Sequence, residues 1–255
     1  MLKKERQREI LKVVERAGKV EVDKLAKRLD VSLMTVRRDL TELGELGLIE
    51  RVHGGALLPR DSQGDVEPPV VERSKQKNEV KASIGRAVAG MIRDGEKIFL
   101  GSGSTTAAVA ASLLHHRNLT VITNAINVAN ALITASQIHV AVVGGFLRRS
   151  ELSLIGYMAE HALQGLQVDK VIVGTRGIDP VKGLTNDNMD ELITDQAIFN
   201  ISRNIIVVAD HSKFGHVAAI RTAPVTTAAK IVTDAGGPKD ILQTIRQMGV
   251  QIIEV

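Results

Sequence analysis

Apolar positions over the first sixty residues recur at helical spacing and then at the spacing of extended chain. Ile10, Leu11, Val13, Val14 and Ala17 share one face of a helix over residues 4–17, which Gly18 ends. Val22, Leu25, Ala26 and Leu29 mark a second helix. After the turn "DVS", Ser32 is placed to cap a third helix over residues 33–46. Val36, Leu40, Leu43 and Leu46 face inward along it, and Gly47 stops it. "LIERVHGGALL" then alternates around a Gly-Gly pair, the pattern of a hairpin. Three short helices and a hairpin predict a winged helix-turn-helix.

Further along, short Val/Ile runs alternate with helical stretches. Strands are predicted at "EKIFLG", "NLTVITN", "IHVAVVGG", "VDKVIVGT", "NIIVVAD", "KIVTD" and "VQIIEV". Helices are predicted at "STTAAVAASLL", "AINVANALIT", "SELSLIGYMAEHALQGL", "DELITDQAIFNIS" and "PKDILQTIRQM". Continuous apolar strands separated by helices are buried on both faces, which argues for a mainly parallel sheet. Between the two patterns, residues 59–81 hold three of the six prolines and few large apolar side chains. The expected architecture is α/β. A small winged helix-turn-helix domain (1–58) precedes a linker (59–73) and a Rossmann-like, mainly parallel α/β domain (74–255).

Composition narrows the setting. With one Tyr, four Phe and no Trp, the core must be aliphatic. The absence of Cys excludes disulfides and thiolate metal sites and fits a reducing cytoplasm. "MLKKERQREILKVV" is charged and amphipathic, unlike a signal peptide, and the longest apolar runs are too short to span a bilayer. The seven His residues have no metal-ligand spacing, so neither metal nor cofactor is expected. The net charge of +4 is concentrated near the start: residues 1–58 hold 13 Lys+Arg against 10 Asp+Glu, and residues 82–255 hold 15 against 14.

That excess bears on the third helix. Thr35, Arg37 and Arg38 lie at its start, away from its Leu face. In helix-turn-helix proteins that end enters the major groove, where Arg pairs with guanine edges or phosphates. The candidate DNA contacts are Ser32, Thr35, Arg37 and Arg38, with Arg51 and His53 on the wing. The competing reading pairs Arg37 and Arg38 with Asp39 or Glu42 on a solvated face.

In open α/β sheets, ligands bind beyond the carboxyl ends of the strands. Ser102, Gly103, Ser104, Thr105 and Thr106 follow the first predicted strand, at a helix N-terminus where the dipole favours an anion. Asn124 follows the second, and Gly144 and Gly145 close the third before "FLRR". "TRGID" follows the fourth, Glu191 sits near a helix start, and "HSKFG" puts Lys213 at the same rim. Hydroxyls, glycine N–H groups, an amide and a Lys suit a small phosphorylated polyol. "GSGSTT" lacks the "GK[ST]" of a P-loop and is not a GxGxxG fingerprint, so nucleotide-hydrolysing and dinucleotide readings fall.

These motifs resemble the DeoR family of bacterial sugar-metabolism repressors. "VSLMTVRRDLTEL", "RVHGGAL", "GSGSTT", "VITN", "VVGG", "GTRGID", "GLT", "DE" and "ADHSKFG" occur in family order along nearly the whole chain. The resemblance implies a winged helix-turn-helix that binds operator DNA, and a sensor domain similar to ribose-phosphate isomerases that takes a phosphorylated sugar effector. It implies that residues 102–106 grip the phosphate while Asn124, Gly144, Gly145, Asp179, Glu191 and Lys213 line the sugar pocket. Arg176 departs from the acidic residue common at its position, and its five donors suit a second acidic group on the ligand. A homo-oligomer, dimer or tetramer, is expected because such proteins read paired half-sites. The rival reading is a sugar-phosphate isomerase carrying a nucleic-acid module, with Glu191 as base and Lys213 as electrostatic stabiliser.

Overall fold

The computed structural model describes residues 3–17, 19–45, 49–52, 54–57 and 67–255. It divides into two compact units, Met1–Val66 and Glu67–Val255.

In the first unit the helical periodicities become helices Lys3–Ala17, Val22–Leu29 and Leu33–Glu45. Ile10, Val14, Leu25, Val36, Leu40 and Leu43 are each at most 2% exposed and form the centre of its core. Asp39 is buried on the same helix bundle, and Arg6 reaches it with two donors, Nε at 2.5 Å and Nη2 at 3.2 Å. The hairpin Glu50–Val52 and Gly55–Leu57 is joined by a third antiparallel strand, Lys19–Glu21, which the sequence pattern did not reveal. Gly18, Leu46, Gly47 and His53 lie outside the described residues.

The second unit is built on a seven-stranded sheet whose described pairings are all parallel. Its order is Gln251–Glu254, Lys230–Thr233, Ile205–Val208, Lys170–Val173, Lys97–Leu100, Leu119–Thr123, Ile138–Val142. Side chains alternate between two cores, as the pleat demands. Phe99, Val171 and Val207 enter one core, and Ile98, Ile172 and Ile206 the other. Helices Asn78–Ala89, Ser104–Ser112 and Ile126–Leu132 cover the second of these faces, through Ile84, Val109 and Val128. Helices Tyr157–Leu163, Met189–Asn200 and Lys239–Gln247 cover the first, through Leu163, Ile198 and Leu242. This is the Rossmann-like α/β architecture expected.

Three local expectations need correction. "SELSLIGYMAEHALQGL" is not one helix: Ser153–Ile155 is a strand paired with Phe146–Arg148, and only Tyr157–Leu163 is helical. Gly156, at φ 88°, separates the two states. The stretch after "VIVG", where the sequence pattern predicts neither strand nor helix, is not irregular: Gly177–Asp179 and Gly183–Asn186 form a hairpin extended by Ile220–Ala223. The end of the 59–73 segment is structured, since Val70–Arg73 is a short helix belonging to the second unit, with Val70 buried and its N–H bonded to the Ser150 carbonyl at 2.7 Å.

Candidate functional site

The sheet order fixes where a ligand crevice lies. From Lys97–Leu100 the chain adds strands outward as far as Ile138–Val142, makes its hairpin excursion, and re-enters on the other side with Lys170–Val173. These two neighbours flank the point at which the winding reverses, and ligands bind beyond the strand ends there. A pocket lies at that point. Ser102, Asn124, Thr175, Asn186, Asp195 and Thr222 supply its polar lining, and Val173, Ile198 and Phe199 its apolar wall.

The Ser/Thr loop forms one edge. Gly103 takes φ 131°, and the helix Ser104–Ser112 begins directly after it. Ser104, Thr105 and Thr106 are each less than 10% exposed. Their backbone N–H groups belong to the first turn and have no acceptor within the helix. Thr106 Oγ1 donates to the Gly103 carbonyl at 3.0 Å, and so does Asn127 Nδ2 at 3.1 Å, which fixes the loop from beneath. Asn124 is 3% exposed; its Nδ2 donates to the Leu154 carbonyl at 3.3 Å, while its Oδ1 has no partner among the described residues. A buried acceptor left open beside a pocket is a place for a ligand hydroxyl.

Asp195 lines the pocket, and a second buried carboxylate, Glu191, stands one turn before it outside the lining. Glu191 and Asp195 are one turn apart on the helix Met189–Asn200, capped by Asn188. Glu191 receives Ser153 Oγ at 2.9 Å and pairs with Arg148 Nη1 at 2.5 Å. Asn186 Nδ2 bridges the pair, at 3.3 Å from Glu191 and 3.1 Å from Asp195. Burial, reinforced by the neighbouring Glu191 charge, pushes the Asp195 carboxyl up to about 7. The folded state therefore holds a proton that the unfolded chain releases between roughly pH 4 and 7, and stability falls as pH rises through that window. Asp195→Asn removes the slope. Because Asp195 keeps some exposure, the variant is expected to gain about 1–2 kcal/mol relative to the parent between pH 5 and pH 8, read by denaturant unfolding.

The remaining expected residues are dispersed. Gly145 sits at φ 144° where a Cβ would lie 2.7 Å from the Ile155 carbonyl oxygen, so its bare backbone serves the hairpin contact. Gly144 precedes it, and neither lines the pocket. The Asp179 carboxylate accepts from the N–H groups of Val181 (2.8 Å) and Lys182 (2.7 Å) and holds a turn. Arg176 pairs with Asp187 at 2.9 Å and with Glu67 at 3.3 Å. Lys213 does not stand open, since its ammonium is bound to the Glu67 carboxylate. Sequence reasoning passed over Asp195, although its i, i+4 spacing from Glu191 was a readable signal. It also passed over Asn186, Asn127 and Glu67, for which no local pattern exists.

In the first unit, Ser32 Oγ accepts from the Thr35 N–H at 3.2 Å, which makes it the helix cap. Arg37 and Arg38 are exposed; Arg38 lies 3.6 Å from Glu42. Arg51 Nη1 donates to Thr41 Oγ1 at 2.9 Å, laying the wing strand's cation along the third helix.

Two family models match these units: a DeoR-like helix-turn-helix domain over residues 6–62, and the DeoR C terminal sensor domain over residues 76–235. The chain belongs to the DeoR family. It is 35% identical to the glycerol-3-phosphate regulon repressor of Escherichia coli K12 over 99% of each chain. It is 34% identical to the transcriptional repressor AccR of Agrobacterium fabrum over 94% of this chain and 93% of that one. Among solved structures, a ribose 5-phosphate isomerase from Methanocaldococcus jannaschii aligns over 55% of each chain at 15% identity and a TM-score of 0.40. As a DeoR-family protein it is a DNA-binding transcriptional repressor and not an enzyme, so the isomerase reading falls. Among the described residues, no helix is long and apolar enough to cross a membrane.

Proposed function

We propose that this repressor is controlled by a small phosphorylated sugar or polyol. Its phosphate takes the N–H groups of residues 104–106, and its hydroxyls take Ser102, Asn124, Asn186 and Asp195. The observation that carries this reading is the open, buried Asn124 Oδ1 in a pocket at the winding reversal, beside a helix N-terminus. The name of the E. coli relative, a glycerol-3-phosphate regulon repressor, supports the same ligand class. Ser104→Asp is the test. An acidic residue in the first turn favours the helix but repels an incoming anion. Titration calorimetry with a panel of sugar monophosphates should find a ligand for the parent and none for the variant; equal binding by both would sink the reading.

The operator is read by the start of the helix Leu33–Glu45 and by the wing, in the cytoplasm, by a dimer or tetramer whose copies address paired half-sites. Ser32, Thr35, Arg37, Arg38, Arg51 and His53 are its candidate contacts. With a duplex selected from a random pool by the parent protein, Arg37→Ala is expected to weaken specific binding about 5- to 150-fold, or roughly 1–3 kcal/mol. An unchanged affinity in a gel-shift titration would remove the recognition role from this end of the helix. By linkage, the effector alters operator affinity by the same factor by which the operator alters effector affinity, typically about 5–150-fold.

A further inference from the structure

Three cations from three separate elements converge on one oxygen of Glu67. Arg73 Nη1 lies 3.2 Å from Oε1 and Arg176 Nη1 lies 3.3 Å from it, and the Lys213 ammonium binds the same atom. Arg73 ends the short helix Val70–Arg73, Arg176 follows the strand Lys170–Val173, and Lys213 follows Ile205–Val208. The last two strands are neighbours, so both cations stand on the carboxyl rim of the sheet. The short helix touches Ser104–Ser112, the helix that carries the Ser/Thr loop. Each of the four side chains is less than one-fifth exposed.

The charges around this point do not balance on Glu67 alone. Arg73 also engages Glu151, and Arg176 also engages Asp187. Lys77 pairs with Asp210 at 2.6 Å. Burial lowers the Lys81 ammonium and Asp210 opposes that, while the charges of Arg73, Lys213 and Lys77 lower it further. Five cations thus stand among four carboxylates. A carboxylate brings one charge and two oxygens to three converging donor groups, where a phosphate brings nearly two charges and three oxygens.

We propose that Arg73, Arg176 and Lys213 form an anion subsite that Glu67 fills from within the chain, and that a second acidic group on the effector, a phosphate or carboxylate, enters by displacing the Glu67 carboxylate. The proposal rests on the effector reading above and adds a second anchor to it. Glu67 opens the second unit, and the carbonyl of the next residue, Pro68, accepts from Arg73 Nε at 2.8 Å, so Arg73 already holds this end of the unit. A tethered anion competes at high effective concentration, so removing it unmasks the subsite.

The experiment uses full-length protein and inorganic phosphate as the probe, at low ionic strength, followed by calorimetry. Glu67→Gln is expected to bind phosphate about tenfold more tightly than the parent, or to take up one further equivalent. Glu67→Asp, with a shorter reach, should gain less. Adding Lys213→Met to Glu67→Gln should abolish the gain, and a gain that survives it overturns the subsite. Identical titrations of the parent, Glu67→Asp and Glu67→Gln also overturn it. In a Ser104→Asp background the Glu67→Gln gain should persist, because the subsite uses none of the loop's N–H groups, and its loss there would count against a separate site. Failure of the loop reading shows instead as an unchanged response of the parent protein to Ser104→Asp.

Discussion

Gly85→Val is expected to lower the stability of the second unit by about 3 kcal/mol and to abolish effector binding with it. Gly85 lies on the helix Asn78–Ala89 where that helix crosses Ser104–Ser112. A Cβ there would stand 2.6 Å from the Ala108 carbonyl oxygen and 2.8 Å from its carbon. Both are backbone atoms of a helix and have no rotamer with which to yield. Replacing a helical glycine normally gains up to about 1 kcal/mol of propensity, which works against the clash and is smaller than it. The helices must separate, and the one that moves begins at the Ser/Thr loop. Thermal unfolding reads the first effect and ligand calorimetry the second. A variant as stable as the parent would show that the two helices do not meet at Gly85.

The second large effect is expected at Arg148. Its guanidinium meets Glu191, whose side chain is 5% exposed, and Glu191 stands one turn from Asp195. Arg148→Met keeps the length and removes the charge. It leaves a buried carboxylate without its counter-ion and should destabilise the unit by roughly 2–4 kcal/mol near pH 8. Glu191→Gln in the same chain should recover much of that loss, because the remaining amide carries no charge. Denaturant unfolding of the two single variants and the double variant checks both statements. A single variant that matches the parent would mean that Ser153 and Asn186 suffice to hold Glu191.

The parallel strands were legible because their Val and Ile residues are buried on both faces, so the signal is continuous and strong; Ile205–Val208 is buried at every position. The helices of the first unit were legible because each has one wet face. The hairpins of the second unit were not. Ser153–Ile155 buries Ser153 as fully as a core residue, so the polarity pattern misleads there. Gly177–Asp179 and Gly183–Asn186 are short strands made of residues that usually mark turns. Around the pocket, the places of Ser102 and Asn124 could be read from the polar residues just beyond the strand ends. Glu67 could not, since it lies in a proline-rich stretch 109 residues before Arg176 and 146 before Lys213, and only the folded chain brings the three together.

The place at which the winding reverses also orders the birth of the protein. The central strand Lys97–Leu100 hydrogen-bonds to Lys170–Val173, so one half of the sheet waits for about seventy more residues to leave the ribosome before its open side is covered. The core of the nucleic-acid reader closes by Ala56. Synthesis therefore makes a finished reader first and a metabolite gauge much later, with an unpaired strand edge exposed in the interval. A message cut short between these points would yield a chain with its address intact and its gauge unfinished.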